Sequence, residues 1–281
     1  MKTTDQLIDD LLTLAFAEDV GDGDHTTLST IPADANGRQH LLVKEEGILA
    51  GVEIARKVFE KFDPSLKMTV YIHDGAHVKP GDIAFIVEGP VRSLLQTERV
   101  MLNIMQRMSG IATMTARYQE RLAGLKTKVL DTRKTTPGMR ILEKQAVKIG
   151  GGENHRIGLF DMILIKDNHV DFAGGIPQAV ASARKYLAEK GKDLKIEVEV
   201  RNTEEILQAL EAGVDRIMLD NFTPERTREA VKLINGRAEV ESSGGITLDT
   251  LRQYGECGVD FISVGALTHS VKGLDMSFKH C

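Results

Sequence analysis

Six short apolar runs punctuate the second half of the chain: KVLDT at 128–132, MILIK at 162–166, KIEVEV at 195–200, RIMLDN at 216–221, AEVESSGG at 238–245 and FISVGAL at 261–267. They recur every roughly 20 to 35 residues with helical patterns between them, the rhythm of repeated βα units. Near-continuous apolar strands of this kind belong to a parallel sheet covered on both faces. About six or seven such units build a TIM-like α/β barrel, complete or short of strands.

The first half reads differently. DQLIDDLLTLAFAE predicts an amphipathic helix over 5–17 with Leu7, Leu11 and Leu14 on its core face. GDGDHTTLSTIP, from residue 21, is a turn-rich loop in which Asp24 or Thr27 caps a helix, and its acids beside His25 do not by themselves make a metal site. HLLVKEEG, MTVYIHDG and IAFIVEGP, with a helix near 52–62, form a small α+β domain. A long helix over 93–123 ends at Gly124 and connects the two halves, its methionines filling core or interface gaps. We therefore divide the chain into an N-terminal domain, residues 1–112, and a barrel, residues 113–269, with the tail 270–281 packing on the former.

The 36 Lys+Arg against 41 Asp+Glu leave a net charge of -5, which argues against nucleic acid as a partner, so any basic site must be local. Two cysteines, Cys257 and Cys281, supply neither a disulfide framework nor a metal cluster, and Cys257 reads as a packing residue. The acidic start MKTTDQLIDD is unlike a secretory signal, and no apolar run approaches the ~20 residues that span a bilayer. A cytoplasmic protein without membrane contact is the expectation.

In parallel barrels the functional groups sit at the C-terminal ends of strands. After KVL come Asp131, Arg133 and Lys134; after MILI come Lys166, Asp167, Asn168 and His169; after KIEV comes Glu199; after RIML come Asp220 and Asn221. After AEVE come Ser243, Gly244 and Gly245, and after FISV come Gly265 and Ala266. The loop GGGENHRIGLFD, 150–161, adds His155 and Arg156. One Lys or Arg after a strand is ordinarily just solvated. Arg133, Lys134, His155, Arg156 and Lys166 gathered on one rim would repel one another unless an anion sat among them.

The glycines of SSGGI and VGALTHS let backbone N–H groups approach a ligand, as in barrel phosphate sites, whereas no Walker or Rossmann glycine pattern is present. Glu199 and Asp220 suit Mg²⁺, ribose hydroxyls or a developing cation, or simply neutralise the basic rim.

DTRKTTPGMR, EKQAVKIGGGENHRIGLFDMILIKDNH, IEVEV, IMLDNF, SSGGI and ISVGALTHS, in this order, resemble the quinolinate phosphoribosyltransferase family. AEDVGDGDHTT and TERVMLNIMQRMSGIAT extend the resemblance through essentially the whole chain. It implies an α/β fold: an N-terminal α/β sandwich joined to an open, incomplete TIM-like α/β barrel. It also implies a homodimer with shared active sites, or a higher assembly of such dimers, and transfer of phosphoribosyl from phosphoribosyl pyrophosphate to quinolinate with loss of CO₂ and with Mg²⁺ on the pyrophosphate.

By the same resemblance Arg99 reaches the partner's quinolinate, and Arg133, His155 and Arg156 hold its carboxylates. Lys134 and Lys166 lie between quinolinate and the phosphates. Glu199 and Asp220 face ribose and metal, directly or through water, and Ser243, Gly244, Gly245 and Gly265 line the 5′-phosphate pocket. The related family associated with molybdate transport is a rival, but it is expected to differ after the H-R loop, where IKDNH keeps the quinolinate pattern. A nicotinate-specific transferase is disfavoured for the same reason. A non-catalytic phosphate-binding barrel would not need Glu199 and Asp220.

Overall fold

The computed structural model describes residues 2–281. In chain order it contains α1 (Thr4–Asp19), α2 (His25–Thr30), β1 (Asn36–Val43), β2 (Gly47–Ile48), α3 (Val52–Phe62), β3 (Lys67–Val70), β4 (His77–Val78), β5 (Ile83–Pro90) and α4 (Val91–Arg121). There follow β6 (Lys128–Leu130), α5 (Arg140–Ile149), β7 (Ile163–Ile165), α6 (Asp167–Ala173), α7 (Ile176–Lys190), β8 (Ile196–Val200), α8 (Thr203–Glu211) and β9 (Arg216–Asp220). The chain ends with α9 (Pro224–Ile234), β10 (Glu239–Ser243), α10 (Leu251–Gly255), β11 (Phe261–Ser263), α11 (Ala266–His269) and β12 (Met276–His280).

Two compact units result: residues 2–116, 135–151 and 266–281 form one, and residues 117–134 and 152–265 the other. In the first, an antiparallel sheet runs β12-β1-β5-β3, so the C-terminal strand pairs with the first one, Gln39 opposite His280 through Val43 opposite Met276. β1 alternates, burying Leu41 and Val43. Phe59 of α3 packs edge-on to Phe85 of β5, ring centroids 6.2 Å apart, and stacks on Phe278 of β12 at 6.0 Å.

Helix α1 starts from a capping box in which Thr3 and Gln6 satisfy each other's backbone N–H groups. Its core face differs from the expected one: Ile8 and Leu12 are buried, whereas Leu7 and Leu14 are exposed. In so leucine-rich a segment two apolar stripes compete, and the i, i+4 pair Ile8/Leu12 wins the interior. Asp24 caps α2, accepting from Thr27 N at 3.0 Å.

In the second unit all six expected runs are strands of one parallel sheet, ordered β6-β11-β10-β9-β8-β7. The two edge strands, β6 and β7, are the first two in sequence and share no ladder, which leaves the α/β barrel open between them. β8 is buried at all five positions. Its sequence, IEVEV, is not apolar throughout, and the fold holds two of its glutamates inside. Among the described residues no helix is long and apolar enough to cross a membrane.

Candidate active site

The strand ends of the second unit carry the residues singled out from the sequence. Lys166 follows β7 and precedes α6; its backbone N–H donates to His169 Nδ1 at 3.0 Å, which fixes the turn. Its Nζ lies 3.3 Å from Oε2 of the buried Glu199 on β8. Asp220 ends β9, opposite Ser243 of β10, and accepts from Asn221 Nδ2 at 2.7 Å. Glu199 and Asp220 thus offer carboxylate oxygens from hydrogen-bonded neighbouring strands, hard donors of the kind a divalent cation such as Mg²⁺ takes.

The turns after β9 and β10 are locked together. Asn221 adopts a left-handed φ of 55° and its N–H donates to Ser243 O at 2.9 Å. Gly244 and Gly245 follow with φ of 96° and 62°, conformations glycine takes without penalty. Gly265 lies between β11 and α11, separated from the strand by Val264. This geometry leaves the Gly245 Cα facing open space, since nothing lies within 4 Å of where a Cβ would stand.

Arg133 and Lys134 are exposed on the loop after β6, where the Lys134 N–H donates to Thr132 Oγ1 at 3.0 Å. Arg156 is half-buried. Burial above all, and then the charge of nearby Arg133, pushes its pKa below the usual guanidinium range. The two arginines therefore share one electrostatic neighbourhood. The segment bearing Arg156 lacks regular structure and hangs from Asp131, which is fully buried: Oδ1 accepts from His155 N at 2.9 Å and Oδ2 from Asn154 Nδ2 at 2.6 Å.

His155 stands with these cations in sequence, but its ring is turned into the sheet interior. Nδ1 accepts from Arg156 N at 2.7 Å, and Nε2 lies 3.0 Å from Glu197 Oε2 and 3.5 Å from Glu241 Oε2. Beneath, Arg216 reaches Glu241 Oε2 at 3.2 Å and Glu239 Oε2 at 3.0 Å, with its guanidinium 4.2 Å from the Phe261 ring centroid. Glu197, Glu241 and Arg216 were not singled out by sequence reasoning. A signal for the first was there: strand side chains alternate, so in IEVEV any fold that points Glu199 inward points Glu197 inward too, one layer deeper.

The ligand atoms of His155, Glu197 and Glu241 lie within 4.8 Å of one another. An Nδ1 that accepts from Arg156 leaves the ring proton on Nε2, which closes the lone pair an ion would need, and Arg216 already supplies positive charge. Burial raises Glu241 to about 8, with the neighbouring Glu197 carboxylate adding to the effect, and burial raises Glu197 to about 7.

The buried Glu197–Glu241 pair thus keeps a proton that the unfolded chain releases above 4.5, so stability falls as pH rises from there to about 8. Glu241→Gln is expected to flatten this fall. The check is thermal unfolding from pH 6 to 9, and an unchanged slope would exclude Glu241 as the titrating group.

Arg99 is exposed on α4, in the first unit. Burial raises neighbouring Glu98 against the charges of Arg99 and Lys279, which act to lower it.

Residues 111–279 match the family model described as quinolinate phosphoribosyl transferase, C-terminal domain, and residues 24–109 match the corresponding N-terminal domain. The chain is 47% identical over 285 residues to "Quinolinate phosphoribosyltransferase [decarboxylating] 1b" of Nicotiana tabacum, covering 96% of this chain and 81% of that protein. It is 44% identical to "Probable nicotinate-nucleotide pyrophosphorylase [carboxylating]" of Bacillus subtilis, covering 95% and 91%. The crystal structure of NadC from Streptococcus pyogenes superposes with a TM-score of 0.93 at 42% identity, covering 100% of this chain and 99% of that one. With both family domains matched in order, and relatives this similar over nearly the full length, the chain belongs to the quinolinate phosphoribosyltransferase family.

Proposed function

We propose that this chain transfers phosphoribosyl from phosphoribosyl pyrophosphate to quinolinate with decarboxylation, giving nicotinate mononucleotide, pyrophosphate and CO₂, a step of NAD biosynthesis. What supports this reading is the strand-end rim: Arg133 acts on the charge of Arg156 in the loops after β6, and Lys166 after β7 pairs with Glu199 of the neighbouring β8. Arginine suits planar carboxylates through paired N–H donors, and lysine suits phosphate as a point charge.

Arg133 and Arg156 hold the two carboxylates of quinolinate and aim its ring nitrogen at the ribose. The N–C1′ bond forms as the C1′–O bond to pyrophosphate breaks, and the positive charge growing on the ribose is stabilised by Glu199 and Asp220. Lys134 and Lys166 offset the phosphate charge, with Lys166 leaving Glu199 as it does so. Ser243, Gly244, Gly245 and Gly265 seat the 5′-phosphate. The electron pair left when the adjacent carboxylate departs as CO₂ stays on that ring carbon, stabilised by the cationic nitrogen beside it, and takes up a proton. Mg²⁺ held by Glu199 and Asp220, directly or through water, would neutralise charge on the leaving pyrophosphate.

The chain with quinolinate, phosphoribosyl pyrophosphate and Mg²⁺ is expected to release pyrophosphate and CO₂ in equal amounts and to use nicotinate poorly. Equal turnover of nicotinate without CO₂ would overturn the substrate assignment.

The active form is a cytoplasmic homodimer in which Arg99 of one subunit completes the partner's site. Mixing Arg99→Ala chains with Lys166→Ala chains is expected to restore about a quarter of parental activity, because hybrid dimers each carry one intact site. No recovery would count against a shared site.

A further inference from the structure

We infer that Glu197 is a positioning residue for quinolinate recognition: it selects the His155 tautomer whose Nδ1 holds the main chain of Arg156. This rests on the proposed role of Arg156 as a carboxylate receiver. The path is continuous. Arg156 N donates to His155 Nδ1 at 2.7 Å, so Nδ1 carries a lone pair and the ring proton sits on Nε2. Nε2 lies 3.0 Å from Glu197 Oε2, close enough for charge–dipole attraction although the two do not align as a hydrogen bond. Moving the proton to Nδ1 would set N–H against N–H at one edge and a lone pair against a carboxyl oxygen at the other, and flipping the ring would put C–H groups at both.

Glu197 can impose this choice because the sheet holds it on both sides. It lies in the middle of β8, paired with Arg216 of β9 and Leu164 of β7, and has no exposed surface. Glu241, equally buried and tied to Arg216, backs it at 3.5 Å from the same Nε2. Residues 154–156, by contrast, form no helix or strand, so the orientation of Arg156 depends on side-chain anchors. Asp131 and His155 hold the main chain of this segment, and the Arg156 guanidinium donates to Met162 O at 3.3 Å. The grip on a substrate carboxylate at the rim is thus set from inside the barrel, by a group that touches no substrate.

The test compares Glu197→Gln, which keeps a polar oxygen beside Nε2–H, with Glu197→Leu, which places none there. Glu197→Leu is expected to raise the KM for quinolinate at least ~10-fold while leaving the KM for phosphoribosyl pyrophosphate within about 2-fold, and Glu197→Gln to stay within about 3-fold of the parent for both. A merely structural role would raise both KM values together, and that result, or equal effects of Gln and Leu, would overturn the inference. Nitrogen-15 chemical shifts of His155 supply a second readout that needs neither turnover nor a foldable Leu variant. The parent is expected to show Nε2–H alone, and an Nδ1–H ring would refute the inference. If the parent shows Nε2–H but does not turn over quinolinate, the functional assignment fails and the tautomer lock stands.

Discussion

Replacing Arg156 by alanine is expected to raise the KM for quinolinate by about 30- to 1000-fold, the equivalent of about 2–4 kcal/mol for a carboxylate that loses its paired donor in a partly desolvated site. Arg133→Ala is expected to act on the same constant and by a similar factor. The electrostatics support a large effect. Arg156 is half-buried beside Arg133, and its lowered pKa marks a place where positive charge is held at a cost that a bound dianion removes. Steady-state kinetics with quinolinate varied at saturating co-substrate give the check. Unchanged quinolinate kinetics in both variants would reject the assignment of these two residues.

The second large effect is expected at Gly244. A methyl group there would stand 2.9 Å from the backbone N of Asn221, closer still to its side-chain amide oxygen, and on a residue with φ of 96°. Neither neighbour can give way cheaply, because Asn221 N is the donor that ties the β9 turn to Ser243 O. Gly244→Ala is therefore expected to cost at least about 2 kcal/mol of stability and to raise the KM for phosphoribosyl pyrophosphate at least ~10-fold. Gly245→Ala separates folding from binding. Its φ of 62° costs an alanine only about 1 kcal/mol and its methyl meets nothing within 4 Å, so a rise in the same KM would report a phosphate approaching that backbone. Thermal unfolding and kinetics of the two variants, read together, decide whether this turn is a phosphate cradle or only a tight corner.

The parallel sheet was legible because each of its strands is a compact apolar run between turn residues, and the rim followed because βα topology sends the residues after those runs to one end. What was not legible is instructive. The buried face of α1 went to Ile8 and Leu12, since a segment with apolar residues on two stripes does not say which one a neighbour will cover. The sheet interior was expected to be apolar, yet Glu197, Glu241 and Arg216 lie within it. Charged residues enter a core only when they are paired, and pairing between distant strands leaves no mark in a single sequence. The inward turn of His155 was hidden for the same reason: its partners come from β8 and β10, about 40 and 85 residues further along the chain. The segment 135–151 follows Arg133 and Lys134 directly, yet it groups with the first compact unit rather than with the sheet that precedes it.

The account centres on a rim whose positive field is relieved by a dianion rather than by any carboxylate. Its most direct test is equilibrium titration of the chain with quinolinate and, separately, with nicotinate, which lacks the second carboxylate. Binding of quinolinate at least ~10-fold tighter, with the difference lost in Arg133→Ala and Arg156→Ala, is the predicted result. Equal affinities for the two acids, or a preference that survives both substitutions, would contradict it.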